Sequence, residues 1–154
     1  MNAHARIDTR PAPEAVAAVV AGLTRILGNR CVTSAAVREQ HASTLTWIAN
    51  EPPDAVVFPM TTEEVVEVVK LCAAHRVPVI PFGTGSSLEG HVNAPLGGVS
   101  IDTSMMKAIK AVHPEDLDCV VEPGVTRKQL NEYLRDMGLF FPIVKTTSTP
   151  ETSS

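Results

Sequence analysis

Pro78-Val-Ile-Pro-Phe-Gly-Thr-Gly-Ser-Ser-Leu-Glu-Gly-His91 is the stretch on which the reading of this chain turns. A short apolar run feeds directly into a loop of glycines and hydroxyl residues. Glycine lets a backbone curl tightly, so that N–H groups and hydroxyls converge on an anion. The segment therefore reads as a strand ending in an anion cradle. A plain glycine-rich turn between two strands fits the same composition and stays open at this point.

Two common nucleotide loops are excluded. Without Gly-Lys-Ser/Thr the segment is not the phosphate loop of an NTPase. Gly83 and Gly85 give G-x-G, but Leu88 stands where a dinucleotide-binding loop carries its third glycine. Such a loop also opens a helix. Here Gly90, Asn93, Pro95, Gly97 and Gly98 follow closely and make a helix improbable. The loop's own amides and hydroxyls, not a helix N-terminus, would hold the anion.

Upstream, residues 1–12 read as a loose arm. Pro13 to Leu27 is a helix with Pro in its first turn, ended by Gly28. Val16, Val19, Val20, Leu23, Ile26 and Leu27 form its stripe. Ser34 caps a short helix through Gln40, and residues 41–54 are irregular. Ala55–Phe58 is a strand. Thr61-x-x-Glu64 is a capping box for a helix to about His75, with Val65, Val68, Val69 and Cys72 on one face. Val77–Ile80 is the strand before the glycine loop.

Downstream, Gly98–Asp102, Ala108–His113 and Cys119–Val121 read as strands, with a turn over Thr103–Lys107. Thr126-x-x-Gln129 caps a helix whose stripe is Leu130, Tyr133, Leu134 and Met137, stopped by Gly138. Leu139–Phe141 reads as a final strand. The expected class is α+β, β-α-β-loop-β-β-β-α-β after an N-terminal helical segment.

The chain has 154 residues, 44% hydrophobic and 19% charged, with a net charge of −4. That is enough for one globular core. The absence of a Lys/Arg cluster and an aromatic content of 4% argue against nucleic acid as a partner. Cys31, Cys72 and Cys119 are odd in number and far apart. They fit reduced, buried thiols, not a disulfide framework or a zinc site. No apolar run reaches the roughly 20 residues of a transmembrane segment, and the N-terminus lacks the pattern of a secretory signal. The expected location is cytoplasmic, with peripheral association at the inner membrane left open.

The set Pro81–His91, Asn93-Ala-Pro95, Gly98–Asp102, Asp116–Val125 and Leu139–Pro142 resembles the FAD-binding PCMH-type domain of the vanillyl-alcohol oxidase superfamily. Bacterial D-lactate dehydrogenases and the FAD subunit of glycolate oxidase are the nearest in look. The resemblance covers roughly Asp54 to Ile143. It implies that Pro81, Phe82, Gly83, Thr84, Gly85, Ser86, Ser87 and Leu88 wrap the FAD diphosphate, and that Glu122, Pro123, Gly124 and Val125 lie against the cofactor. A simple strand-to-helix connection also accounts for Glu122–Val125. Some members attach flavin through a histidine in the first loop. Ser86 stands at that position, so non-covalent FAD is expected. His91 could touch cofactor or substrate, although a structural hydrogen bond at a strand edge accounts for it more simply. His75 and His113 read as structural.

The family reaction is oxidation of a D-2-hydroxy acid such as D-lactate or glycolate. A hydride equivalent passes to flavin N5, and electrons go on to a cytochrome, quinone or flavoprotein. From Val144 the sequence departs from the pattern and becomes rich in Ser and Thr. The expected divisions are 1–53 (helical), 54–143 (partial FAD-binding domain) and 144–154 (divergent, disordered). This organisation resembles a truncated product, so no catalytic or metal-binding residue is named, and weak or no flavin binding, no turnover and poor solubility are expected of the chain alone. A non-catalytic nucleotide-binding or subunit-interaction module and a non-functional remnant are the other readings.

Overall fold

The computed structural model describes residues 9–43, 47 and 49–142, in two compact units that meet in sequence between Met106 and Lys107. The tail expected to be disordered, 144–154, and the first eight residues of the expected loose arm lie outside the described residues.

In the first unit the elements are α1 (Pro13–Leu27), β1 (Cys31–Val32), α2 (Ala35–Gln40), β2 (Ala55–Val57), α3 (Thr62–Ala74), β3 (Val79–Phe82) and β4 (Val99–Asp102). The sheet order is β1-β2-β4-β3, with β2, β4 and β3 parallel and β1 antiparallel to β2. All seven residues of β2 and β4 are buried. This burial on both faces is typical of central parallel strands. One face packs Val57, Val99 and Ile101 against Val19, Leu23 and Leu27 of α1 and Val68 and Cys72 of α3. Residues before Asp54 thus share one core with the sheet.

The helices follow local chemistry. Pro sits in the first turn of α1 and Gly28 ends it. Thr61 Oγ1 accepts from Glu64 N–H (3.2 Å) and starts α3. The Glu64 carboxylate goes further than a capping box requires. It accepts from Met60 N–H (2.7 Å) and from both terminal nitrogens of Arg30 (2.6 and 2.5 Å). Arg30 also donates to the Phe58 carbonyl, so one guanidinium joins the end of β2 to the start of α3.

Gly98 sets the entry to β4. Its φ is +109°, and a Cβ there would collide with the Pro78 carbonyl. Its N–H donates to Asp54 Oδ2 (2.7 Å). Asp54 Oδ1 in turn accepts from Arg10 (2.6 Å), so the end of the expected loose arm is tied down.

The second unit holds β5 (Ile109–His113), β6 (Asp118–Val121) and α4 (Arg127–Leu134), with β5 and β6 paired antiparallel around an irregularity at Lys110. Thr126 Oγ1 accepts from Gln129 N–H and caps α4 (3.2 Å).

Several expectations are corrected. Strand β3 begins two residues later than Val77 and runs on through Pro81 and Phe82. Proline is tolerated there because β3 is an edge strand. Ser34 precedes α2 but makes no side-chain cap. Val69, Tyr133 and Met137 are exposed, because burial narrows each helical stripe to the positions that face a partner. Leu139–Phe141 is not a strand. Asn131 takes both backbone groups of Phe141 through its side chain, and Leu139 N–H bonds the Leu134 carbonyl at the helix end. Strand β1 is not legible in the sequence at all. The three thiols are free, as expected, but only Cys72 is fully buried, which pushes its pKa up to about 11.

Two consequences are measurable. The Arg30 hydrogen bonds, assisted by those from the backbone, hold the Glu64 carboxyl down at about 2. Its folded value lies below the unfolded one of about 4.3, so its contribution is complete above that pH and fades as pH falls toward 2. Both side chains are about a quarter exposed. With that solvent screening, E64Q is expected to lower stability by about 2 kcal/mol at pH 7 and by roughly half of that at pH 3, read by urea denaturation at both pH values. Separately, Ser100 is fully buried and its Oγ has no hydrogen-bond partner among the described residues. S100A is expected to leave stability unchanged or raise it by up to about 1 kcal/mol, because a buried unpaired hydroxyl is a cost.

Candidate functional site

Strand β3 ends at Phe82 opposite Asp102 of β4, and the glycine loop leaves from that point. Thr103 Oγ1 donates to the Phe82 carbonyl (3.3 Å) and fixes the loop's stem. Its return leg is tied to residues 49–51. Asn93 accepts from Glu51 N–H (3.1 Å) and donates to the Ala49 carbonyl (3.2 Å), and Ala94 N–H donates to the Glu51 carbonyl (2.8 Å). Both ends of the loop are therefore fixed while its tip faces solvent.

At the tip, the hydroxyls of Thr84 and Ser86 are 3.0 Å apart, and Ser87 Oγ is 2.9 Å from His91 Nδ1. The N–H groups of Thr84 to Leu88 have no backbone partner among the described residues. Gly85 has φ +68°, and a Cβ there would lie 2.8 Å from Phe82 Cζ. A Cβ on Gly83, by contrast, would meet nothing within 4 Å. Open space above Gly83, uncommitted amides and converging hydroxyls suit a diphosphate. The segment carries no Lys or Arg, so the donors it offers are neutral. The residues present fit the diphosphate of a dinucleotide. Pro81 and Phe82 form the stem, and Leu88 projects 67% exposed beyond it. His91 is exposed and lies in a turn, not at a strand edge. Its hydrogen bond goes to the loop's own Ser87.

The second expected segment, Glu122–Val125, lies in the other unit. It is a tight turn closed by Val125 N–H to the Glu122 carbonyl (3.1 Å). Glu122 is committed to the hairpin. Its N–H donates to the Ala108 carbonyl (2.9 Å), and its carboxylate accepts from Ala108 N–H (2.9 Å) and lies 3.3 Å from Lys110 Nζ. The Ala108 hydrogen bond and the lysine charge lower its pKa. The geometry thus assigns the Glu122 side chain and the Val125 N–H a structural task and leaves Pro123 and Gly124 at the head of the turn.

The residue that sequence reasoning missed is His41. It stands just past α2, 4% exposed, with Nε2 2.8 Å from Asp102 Oδ2. The available signal was Asp102 itself: a carboxyl group ending a fully buried strand needs a partner. Among the described residues no group of three His, Cys, Asp or Glu could hold a metal.

Residues 53–152 match the family model described as FAD binding domain. The chain belongs to that family, and its fold is that of the PCMH-type FAD-binding flavoproteins. The match runs past Ile143, where the sequence reading ended the domain. A probable mitochondrial D-lactate dehydrogenase of Danio rerio is 48% identical over 130 residues, 84% of this chain and 26% of that protein. The mitochondrial D-lactate dehydrogenase [cytochrome] of Arabidopsis thaliana is 54% identical over 91 residues, 59% of this chain and 16% of that one. In three dimensions the chain resembles p-cresol methylhydroxylase, with TM-score 0.74 and 26% identity over 84% of this chain and 26% of that one. The chain spans about a quarter or less of the relatives it matches.

The two glycines separate stability from binding. G85A is expected to cost about 2 kcal/mol, from the left-handed backbone and the contact with Phe82. G83V should leave the thermal midpoint within a degree or two while blocking the diphosphate. Thermal melts and FAD titrations on the same samples check both.

Proposed function

We propose that this chain is the diphosphate-holding part of an FAD-dependent oxidoreductase acting on a D-2-hydroxy acid, D-lactate or glycolate. The observation that carries the reading is the loop Gly83–Ser87, with the open space above Gly83, amides that have no backbone partner among the described residues and the paired hydroxyls of Thr84 and Ser86, within the matched family region. FAD, when bound, supplies the two-electron acceptor that turns the hydroxyl of the substrate into a carbonyl. What this chain contributes is binding and orientation. Pro81 and Phe82 fix the stem, Thr84, Ser86 and Ser87 offer hydroxyl donors, and Gly83 and Gly85 bring the backbone close. Glu122–Val125 is proposed, on the resemblance alone, as a second cofactor-contacting turn acting through backbone groups.

Attachment is proposed to be non-covalent, because Ser86 offers no imidazole for a bond to flavin. The substrate-binding and acid–base groups of the complete reaction are proposed to lie outside the quarter of the relatives that this chain spans. A partner subunit and a cytochrome, quinone or flavoprotein acceptor belong to the same proposal. For location, no described helix is long and apolar enough to cross a membrane. The cytoplasmic placement expected from the sequence gains no support from the relatives named above, which are mitochondrial proteins.

The test is direct. The chain should bind FAD, ADP should compete for the same loop, and riboflavin, which lacks the diphosphate, should not. Acid precipitation should release all the flavin into the supernatant. A chain that binds neither FAD nor ADP would defeat the assignment. Flavin that stays with the precipitate would defeat the non-covalent one.

A further inference from the structure

His41 lies outside the residues matched to the family, in the irregular stretch after α2, yet it is built into the stem of the glycine loop. Its Nδ1 lies 2.8 Å from the Val37 carbonyl. A carbonyl only accepts, so Nδ1 carries a hydrogen. Its Nε2 lies 2.8 Å from Asp102 Oδ2. That contact also needs a proton, carried by either the imidazole or the carboxyl group. The other oxygen, Oδ1, accepts from Ser104 N–H at 2.7 Å. The ring is thus held at both nitrogens and cannot rotate without breaking a buried hydrogen bond.

What the fixed ring touches is the stem of the loop. The His41 and Phe82 ring centroids are 4.3 Å apart at an interplanar angle of 44°, and Phe58 closes the other side edge-on at 5.8 Å. The Phe82 ring then lies against Gly85, where a Cβ would come within 2.8 Å of Cζ. A continuous series of contacts runs from the buried Asp102 carboxylate through the His41 and Phe82 rings to the left-handed residue of the loop.

We infer that His41 is a positioning residue of the diphosphate loop: held by Asp102 and Val37, it fixes the Phe82 ring on which Gly85 rests. The inference rests on the FAD reading for its purpose, but not for its geometry. The ring contact sets the path of the backbone across Thr84 to Ser87, and with it the directions of the amides offered to an anion. Contiguous packed groups with few alternative arrangements transmit such constraints. D102N is the conservative variant. Its amide oxygen replaces Oδ1 for Ser104, and its amide nitrogen donates to a neutral Nε2, so every hydrogen bond survives.

The experiment uses the full chain without cofactor and then with FAD. Amide order parameters of Gly83 to Ser87 are measured by NMR relaxation, beside FAD affinity and the thermal transition. H41A is expected to lower those order parameters from about 0.85 to below about 0.6 and to weaken FAD at least fivefold. D102N should leave both within twofold of wild type. A folded H41A whose loop stays as rigid as wild type overturns the proposal. Should H41A fail to fold, F82L decides, because it leaves the His41–Asp102 pair bonded and removes only the bridging ring. The same loosening supports the proposal, and a rigid loop overturns it. If wild type binds no FAD or ADP, the cofactor reading fails by itself, while the order parameters still read the His41 contact.

Discussion

The parallel register of β3 on β4 is the constraint on which the rest of the first unit depends. It sets Phe82 opposite Asp102 and brings the departure of the glycine loop to the same end of the sheet as the buried carboxyl group. A slip of β4 by one residue would turn Asp102 to the opposite face, away from Phe82 and His41. The apolar core could absorb such a change only by burying a carboxyl group without its partners among Val19, Leu23 and Val68. The register is therefore enforced from both faces. Apolar packing holds one, and the hydrogen bonds of Asp102 hold the other. The entry end is enforced separately, because only glycine at 98 lets β4 start against the Pro78 carbonyl with Asp54 holding its N–H.

Much of this was legible in the sequence, and the failures have identifiable causes. Long helices with strong punctuation were legible. Pro13 and Gly28 bound α1, while Thr61 and Thr126 cap α3 and α4, because those signals are local. Short elements were not. Cys31–Val32 becomes a strand only because β2 lies beside it. Leu139–Phe141 has the composition of a strand, but Asn131 satisfies Phe141's backbone first. Side-chain partners distant in sequence were also invisible. The capping box correctly placed Glu64 at a helix start, and nothing near it announced Arg30. His41 carries no spacing signal, since its partners are a helix carbonyl four residues back and a carboxylate 61 residues ahead.

The glycine- and hydroxyl-rich loop after β3 was legible from residue types alone, while its support was not. Composition shows which residues can curl and donate hydrogen bonds. It does not show what they rest on. The structure supplies that through Phe82, which the sequence reading took as part of the cradle itself. Its ring instead lies against Gly85, and its carbonyl is bound by Thr103. The same distinction separates the residues of the second turn. Glu122 belongs to the hairpin that it staples, and the Pro-Gly pair after it is what a ligand could reach.

Under the proposed function, the neutral donors of the loop call for this support. An anion held by lysine or arginine is bound by charge, and a flexible side chain can follow it over several ångströms. Amides and hydroxyls are weaker, directional donors, and they compete with water only if they already point to where the oxygens will sit. A loop of this kind therefore needs a rigid base more than a cationic one does. Aromatic rings held by a buried hydrogen-bonded pair are such a base, because their freedom is lost during folding and not at the moment of binding.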